Sequence, residues 1–411
     1  MAKSKIKTVH GRKTWNLDGT PAFEIDVTLR YGARGRVTTP CPNPDYQTST
    51  DFEQVIAYIT TDLHNQLRGQ SATDQIACDQ LLSELRASSE DLPAAPYLFK
   101  AVSQACLLAA SNIEKLPLWQ YLGTFLGLSD SDTLPLPIID LLTSRQDSCP
   151  SCLIDTYSAV PIGASSFFEA LVWCQRVHKK VQKSEYFTAE NDDQVLAQMT
   201  RAIETAGLRP GADMAIAIRI REAQVNETGQ YVFRGQEQAI TSDSLSGQYV
   251  DWASDFPVVS IERPFAAQDL EAFRRLTWAV GKRTQVIAPP LSNRNQTDPF
   301  RQDIGQTGNA ILVSGDGMRT ISDIEALKLF ADERSMGTLI QVNANGLTGT
   351  LPIHLAVGWG INQIKSGPPS DPASLMVWRE GMRISEAMAL TDRERFQIDG
   401  SLPARSLFAW G

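Results

Sequence analysis

Two cysteines three residues apart are the first residues whose spacing suggests chemistry. Cys149 and Cys152 enclose a proline and a serine, which makes a C-x-x-C motif. Such a pair can form a reversible disulfide, or it can supply half of a tetrahedral zinc site. No second cysteine pair lies nearby in the sequence, and two ligands do not complete a zinc site. Two incidental loop cysteines are therefore the favoured interpretation, and redox chemistry is the alternative.

The other groups that could do chemistry are isolated in the sequence. The histidines are His10, His64, His178 and His354. Their spacing matches neither a helical metal motif nor a Ser/His/Asp arrangement. The glycines on either side of Asp316 lack the spacing of a nucleotide-binding loop, so they predict a strand-to-helix turn.

Composition and charge exclude several classes of partner. The 411 residues carry 38 Lys and Arg against 47 Asp and Glu, a net charge of −9 without a basic stripe, so we expect no nucleic-acid partner. No apolar run approaches the roughly 18 residues that a membrane span needs, and no signal peptide is recognisable. Six cysteines without regular spacing favour reduced thiols in a cytoplasmic protein.

Hydrophobic periodicity predicts an α+β domain at the start of the chain. Residues 5–30 alternate apolar and polar side chains around a turn, which predicts a β-hairpin. Between about 51 and 125 the period becomes helical. Strands followed by helices favour an α+β domain, and Pro135 and Pro137 mark its end. We therefore assign residues 1–134 to this domain.

Residues 135–411 carry a repeated strand–helix pattern. Near-continuous apolar strands such as 258–261, 310–313 and 338–342 alternate with helical stretches. This pattern indicates a parallel sheet, and over the roughly 270 residues that remain a (β/α)8 barrel is the favoured closure. The predicted fold class is α/β, with an α+β cap domain followed by a barrel.

Several stretches, in a consistent order and spacing, resemble the enolase (phosphopyruvate hydratase) family from about residue 6 to residue 390. They are GTPAFE at 19–24, LPLWQYL at 116–122, PVVSIERPF at 257–265 and GINQIKSG at 360–367. The resemblance implies an enolase-type barrel behind an α+β cap domain, usually as a dimer. The stretch after Val177 is shorter than the family pattern, so the resemblance does not define the second barrel strand.

The resemblance also implies a Mg²⁺ site, which this chain has largely lost. Family chemistry removes a proton beside a carboxylate, and the metal holds the resulting dianion. The three metal-binding carboxylates of the family match Arg219, Glu262 and Pro289. Arginine repels a cation and proline has no side-chain ligand, so Glu262 is the single retained ligand. We therefore expect neither bound Mg²⁺ nor another cofactor.

Most other catalytic positions of the family are also substituted. The family's base lysine matches Ser314, its His-Arg-Ser triplet matches Val342, Asn343 and Ala344, its active-site His matches Asp147, a nearby Glu matches Thr156, and its lid loop matches 41–44. A lone serine cannot replace the base. Lys365, on the last strand, is the one retained catalytic candidate.

Five matching positions are expected to surround the mouth of the barrel. They are Arg219, Glu262, Arg263, Ser314 and Lys365. Three of these side chains are cationic and one is anionic. The favoured interpretation is a structural Arg219–Glu262 ion pair in a site that no longer catalyses. The alternative is a small-anion pocket for a phosphate or carboxylate, formed by the other three residues together with Arg219.

These substitutions predict an enolase-like protein that is catalytically inactive and has a structural, regulatory or anion-binding role. The alternative is a lyase of the same superfamily that is rebuilt around Lys365 and Ser314 and acts on a phosphorylated or carboxylate small molecule. A glutamate and an arginine that pair across the two-fold axis in the family match Glu24 and Arg383. We therefore expect a homodimer, or pairing with an active enolase or another protein.

Overall fold

A computed structural model of the chain describes most of its length. The described residues are 3–17, 19–41, 50–87, 95–126, 133–143, 149, 151–182, 190–236, 238–289, 307–313, 319–342, 347 and 349–391. The chain divides into two compact units. Unit 1 comprises Met1–Ser131, Asp316–Lys328 and Val342–Trp359, and unit 2 comprises Asp132–Gly315, Leu329–Gln341 and Gly360–Gly411.

A three-stranded antiparallel sheet begins unit 1. Its strands are β1 (Ile6–Trp15), β2 (Pro21–Leu29) and β3 (Arg34–Pro40). The predicted hairpin is confirmed, with Gly11 of β1 opposite Ile25 of β2. The order is β1-β2-β3, so β2 is paired on both sides, and all of its residues are buried or half-buried.

Helices follow this sheet, as the change of period predicts. They are α1 (Thr50–Tyr58), α2 (His64–Leu67), α3 (Gln75–Ala87), α4 (Ala95–Glu114) and α5 (Leu118–Leu126), with a π-helical segment over Ile59–Leu63. Helix α4 lies so close to β3 that the backbones nearly touch at Gly35. A Cβ atom on Gly35 would overlap the Ala105 carbonyl oxygen and would lie 2.6 Å from the Ala109 nitrogen.

Unit 2 is built around a barrel. The remaining strands are β4 (Leu136–Thr143), β5 (Ile154–Val160), β6 (Ala215–Ile220), β7 (Ala223–Val225), β8 (Tyr231–Phe233), β9 (Val258–Glu262), β10 (Gln285–Val286), β11 (Ala310–Leu312), β12 (Gly337–Gln341) and β13 (Gln363–Ser366). Strands β7 and β8 form a separate hairpin, and the other eight form one sheet in the order β10-β9-β6-β5-β4-β13-β12-β11. A parallel bridge between Ile287 and Ala310 joins its two outer strands. The predicted barrel is confirmed.

The later helices cover the barrel strands or complete unit 1. They are α6 (Phe167–Gln182), α7 (Asp192–Thr205), α8 (Ser242–Asp255), α9 (Leu270–Val280), α10 (Ile321–Glu333), α11 (Leu351–Gly358) and α12 (Pro372–Thr391). Polar side chains define where helices begin: Asn191 accepts a hydrogen bond from the Gln194 amide at the start of α7. No helix in the described part of the chain is long and apolar enough to cross a membrane.

Strand β5 is the second barrel strand, and it runs antiparallel to β4 and β6. The repeated strand–helix pattern predicts a parallel sheet, which is wrong for this strand, the one that the resemblance does not define. Among the described residues no helix lies between β4 and β5, whereas α6 and α7 both lie between β5 and β6. A strand that returns without a long crossover runs antiparallel to the strand before it. The start of β5 therefore lies at the end of the barrel where the other strands terminate.

A reciprocal amide pair fills part of the barrel interior. Gln363 at the start of β13 donates to Gln285 Oε1 at 2.7 Å, and Gln285 Nε2 lies 3.2 Å from Gln363 Oε1. Gln285 also donates to Ser260 Oγ at 3.1 Å, and all three residues are buried. Because these buried polar groups satisfy one another, they add directional contacts to an otherwise apolar core.

We predict that Gly35→Ala destabilises the protein by about 1–3 kcal/mol, because the added methyl group has no space beside the backbone of α4. Thermal unfolding monitored by circular dichroism measures the change. Gly247→Ala is the matched control, since no atom lies within 4 Å of a Cβ at Gly247 in α8. That variant should melt at or above the parental temperature, because alanine favours helix more than glycine. Equal effects of both substitutions would contradict the close approach of β3 and α4.

Candidate functional site

Charged side chains converge on the barrel mouth, which is the end where the parallel strands terminate. They are Asp140 on β4, Asp155 on β5, Arg219 on β6, Glu262 on β9, Lys365 on β13 and Arg263 directly after β9. Strand register brings them together: Arg219 lies opposite Glu262 on one side and opposite Thr156 on the other. Asp155 reaches the mouth because it lies at the start of the antiparallel strand.

Lys365 and Glu262 form the most buried ion pair of the mouth. The Lys365 Nζ contacts Glu262 Oε2, and the two side chains are 4% and 14% exposed. Burial opposes ionisation of the Glu262 carboxyl, but the Lys365 and Arg219 cations outweigh it and hold its pKa below the ordinary value. The Glu262 carboxylate is therefore ionised at neutral pH and lies against the Lys365 ammonium, which compensates its charge.

Arg219 binds Asp155 and Thr156. Its Nη2 lies 2.6 Å from Asp155 Oδ2, its Nε donates to the same oxygen at 2.8 Å, and its Nη2 donates to Thr156 Oγ1 at 2.9 Å. The expected Arg219–Glu262 ion pair is wrong, because the reversed β5 presents Asp155 to the guanidinium while Lys365 binds the glutamate. Burial opposes the charge of Arg219, but the carboxylates of Glu262 and Asp155 raise its pKa.

Asp140 is a third carboxyl group at the mouth. It lies in β4 opposite Ser158, whose hydroxyl donates to Asp140 Oδ1 at 2.6 Å. Burial raises the pKa of Asp140, while Lys365 and the Ser158 hydroxyl favour its ionised form. The charge of Asp140 is thus sensitive to the state of Lys365.

Arg263 lies at the rim of the same cluster. Its Nε and Nη2 both donate to the Ile220 carbonyl oxygen at 3.0 Å, and its Nη2 is 3.8 Å from Asp155 Oδ2. The residue has a left-handed backbone, with φ of 56°, which is uncommon outside glycine. Ser314, the fifth position expected here, lies outside the described residues.

The balance of charge at the mouth differs from the expected excess of cations. Asp140 and Asp155 add two carboxyl groups that sequence reasoning missed, so three acidic side chains face three basic ones. An isolated aspartate within the apolar run of β4 is a signal that points to Asp140. No comparable signal identifies Asp155, because its position depends on the direction of β5.

Comparison with known proteins agrees with this architecture. The family model for the enolase C-terminal TIM barrel domain matches residues 131–397. The chain belongs to the enolase family. It is 25% identical to Enolase 2 of Pseudomonas syringae pv. syringae (strain B728a) over 414 residues, which cover 93% of this chain and 96% of that protein. It is 24% identical to Enolase 2 of Pseudomonas syringae pv. tomato (strain ATCC BAA-871 / DC3000), with the same coverage.

Side chains at the expected metal-binding positions do not fit the divalent cation that enolase chemistry uses. Arg219 presents a guanidinium, Pro289 has no side-chain donor, and the carboxylate of Glu262 is bound by Lys365. A hard dication prefers several oxygen ligands and is repelled by two fixed cations. Within the described residues no cluster of three His, Cys, Asp or Glu side chains is arranged to hold a metal.

Some of the other positions that match enolase residues lie outside the described structure. Thr156 is buried and binds Arg219, and Val342 is a buried apolar residue. Asp147, Asn343 and Ala344 lie outside the described residues, and of 41–44 Cys41 alone is described. These positions stay predictions drawn from the resemblance.

The two residues that match the enolase dimer contact have partners within this chain. Glu24 accepts a hydrogen bond from Arg12 and lies 3.6 Å from Arg36 Nε, both on the three-stranded sheet. Arg383, in α12, is 67% exposed and lies 2.8 Å from Glu380. Arg383 therefore lies on the exposed face of α12, about two turns before its end at Thr391.

Cys149 and Cys152 are joined in a disulfide, with their Cα atoms 5.4 Å apart. The interpretation of two incidental cysteines is wrong, because the short loop before β5 brings the two sulfurs together. The expectation of six reduced thiols is also wrong for this pair. Cys41, Cys78, Cys106 and Cys174 form no disulfide.

Removing the Lys365 ammonium should leave Glu262 charged and unpaired in a buried position. We predict that Lys365→Met lowers the free energy of unfolding by about 3–5 kcal/mol at pH 7. In the parent the pair stabilises the fold above the ordinary glutamate pKa of 4.5, and this contribution disappears as pH falls through the lower folded pKa. In the variant burial raises the pKa of Glu262, so the deficit should shrink between pH 7 and pH 5. Urea unfolding at both pH values measures it.

The double variant Lys365→Met/Glu262→Gln controls this experiment. It removes both charges, so it should recover most of the lost stability at pH 7. Additive effects of the two substitutions, or a deficit that does not change with pH, would show that the two side chains do not form a compensating pair.

Proposed function

We propose that this member of the enolase family does not catalyse enolase chemistry and acts in a structural or regulatory role. The observation that carries the proposal is that basic side chains compensate the carboxylates at the barrel mouth, where the family binds a metal cation. A guanidinium stands at one expected metal-ligand position and binds Asp155, while the retained Lys365 binds the retained Glu262. The mouth is thereby neutralised by the chain itself.

The basic side chains at the mouth already have hydrogen-bond partners, which also argues against an anion pocket at this site. Among the described residues, Arg219 is held by Asp155, Lys365 by Glu262 and Arg263 by the Ile220 carbonyl. A phosphate or carboxylate that binds Arg219 or Lys365 would have to displace Asp155 or Glu262 and leave that carboxylate without its counter-charge. That displacement carries the penalty of an uncompensated partly buried charge.

A rebuilt lyase is less well supported than a non-catalytic role. A general base needs a nitrogen that is free to face the substrate, and the Lys365 Nζ is already held by the Glu262 carboxylate. Thr156, where the family has a glutamate, is buried as a hydrogen-bond acceptor for Arg219. No described residue at the mouth stands free as a second acid or base.

We predict that neither Mg²⁺ nor 2-phosphoglycerate changes the melting temperature of the purified protein. A ligand at 100 times its Kd adds about 2.7 kcal/mol to stability, which is a shift of several degrees. Melting curves with each compound and with both, together with a turnover assay, test this. A shift that requires both compounds, or turnover at a typical enzyme rate, would contradict the proposal. A shift with 2-phosphoglycerate alone would support the anion pocket.

A Lys365→Ala variant distinguishes the chain's own activity from enolase carried over from the expression host. Host enolase is unaffected by the substitution, so trace turnover that is equal in the parent and the variant belongs to the host. Turnover that disappears in a variant whose melting curve shows it still folded at the assay temperature would assign catalysis to this chain and overturn the proposal. A known active enolase in parallel confirms that the assay works.

We further propose that the protein is cytoplasmic and forms a dimer in which Arg383 of one chain approaches Glu24 of the other. The carboxylate of Glu24 already attracts Arg12 and Arg36, so a third arginine would extend an existing charge cluster. The exposure of Arg383 leaves its guanidinium accessible. A homodimer is the simpler assembly, and pairing with an active enolase is the alternative.

Reversing the charge of Arg383 should dissociate such a dimer. We predict that Arg383→Glu lowers the mass measured by light scattering toward that of one chain, because two acidic groups then face each other across the contact. Arg379→Glu is the matched control: it lies one turn earlier on the exposed face of α12 and should not change the mass. If both variants retain the parental mass of a dimer, the contact lies elsewhere.

A further inference from the structure

We propose that Cys149 and Cys152 form a thiol–disulfide exchange site, which accepts two electrons from a dithiol reductant and whose disulfide fixes the segment that carries Asp155 to the barrel mouth. This inference is independent of whether the barrel mouth catalyses a reaction.

The first observation is that the pair differs from the other cysteines of the chain. Cys149 and Cys152 are joined to each other, while the remaining four form no disulfide. A hydrogen bond with Cys78 and burial raise the pKa of the Cys106 thiol, and burial raises that of Cys174, which makes both poor thiolates. The C-x-x-C motif is thus the one pair of cysteines that is already arranged for exchange.

The surroundings of the disulfide favour exchange at Cys149. Cys149 is 7% exposed and Cys152 is 1% exposed, so an incoming thiolate reaches the first sulfur more easily. The Arg221 guanidinium donates to the Cys149 carbonyl oxygen at 3.1 Å. This contact holds the Cys149 backbone against the residue that follows β6. Ser151, one of the two residues between the cysteines, is exposed.

The exchange balances with a dithiol as the co-reactant. A thiolate of the dithiol attacks Cys149 Sγ, a mixed disulfide forms, and the Cys149–Cys152 bond breaks with Cys152 leaving as the thiolate. The second thiol of the reductant then loses its proton and attacks the reductant sulfur that is bonded to Cys149. The mixed disulfide breaks, and Cys149 is released. Two electrons and two protons pass from the dithiol, which becomes a disulfide, to the two cysteines.

The bonded loop continues directly into the strand that supplies Asp155. Two residues, Leu153 and Ile154, separate Cys152 from Asp155, and their amides donate to the buried Asp192 carboxylate at 2.6 and 3.1 Å. The Cys152 amide donates to the Cys149 carbonyl at 3.2 Å. The disulfide, the turn and the Asp192 carboxylate thus restrain successive residues of this segment. The next residue, Asp155, binds Arg219. Opening the disulfide removes the first of these restraints.

Redox titration of the full-length protein tests the exchange. The folded protein is equilibrated in mixtures of reduced and oxidised dithiothreitol, quenched with acid and alkylated, and its mass is measured. We expect a reversible gain of two alkyl groups, assigned to Cys149 and Cys152 by peptide mapping. The gain should disappear in Cys149→Ser/Cys152→Ser and persist in Cys174→Ser. A pair that stays oxidised in excess dithiol, or stays reduced in excess oxidised dithiol, overturns the proposal.

Melting temperature tests the link to Asp155. Reduction should lower the parental melting temperature by roughly 3 °C, through loss of the constraint on a four-residue loop. In Asp155→Asn the drop should be clearly smaller, because the segment no longer holds Arg219. Asp140→Asn, a carboxyl of the same mouth on a different strand, should retain the full drop. Equal drops in all three proteins would exclude the proposed link.

Discussion

Compensation of charge at the barrel mouth is the constraint on which the site depends. Arginine, lysine and carboxylate groups that converge in a partly buried space are costly unless each has a counter-charge within hydrogen-bond distance. In this chain Lys365 is matched to Glu262, and Arg219 is matched to Asp155. Removing one member would leave an uncompensated charge. The substitutions at the mouth are therefore interdependent and have to be considered as pairs.

The direction of β5 makes this compensation feasible. Because β5 is antiparallel to its neighbours, its first residues lie beside the last residues of β6, and Thr156 is in register with Arg219. A parallel strand would place its final residues there instead. The same geometry makes Asp155 the partner of Arg219 and leaves Glu262 for Lys365. One reversed strand thus determines both ion pairs.

The interior of the barrel and its mouth require different kinds of residue. The barrel needs apolar strands and a few mutually satisfied polar groups such as Gln285 and Gln363, and this chain retains both. The mouth needs specific donors at specific atoms if it is to hold a metal and a substrate, and here those donors are replaced. The apolar interior of the barrel and the charged groups of its mouth are thus formed by different residues.

Apolar periodicity and the local motifs by themselves determined the hairpin, the helical stretch, the barrel and the resemblance to enolase, because these depend on short-range patterns of burial. They also identified Glu262 and Lys365. Pairing was different: the sequence suggested Arg219–Glu262, did not select Asp155, and offered a bond between Cys149 and Cys152 only as the alternative. The ion pairs depend on the direction of β5 and on residues far apart in the chain, and the disulfide depends on the turn before β5. Only the tertiary structure decided them, since a carboxylate binds whichever cation the fold brings within reach.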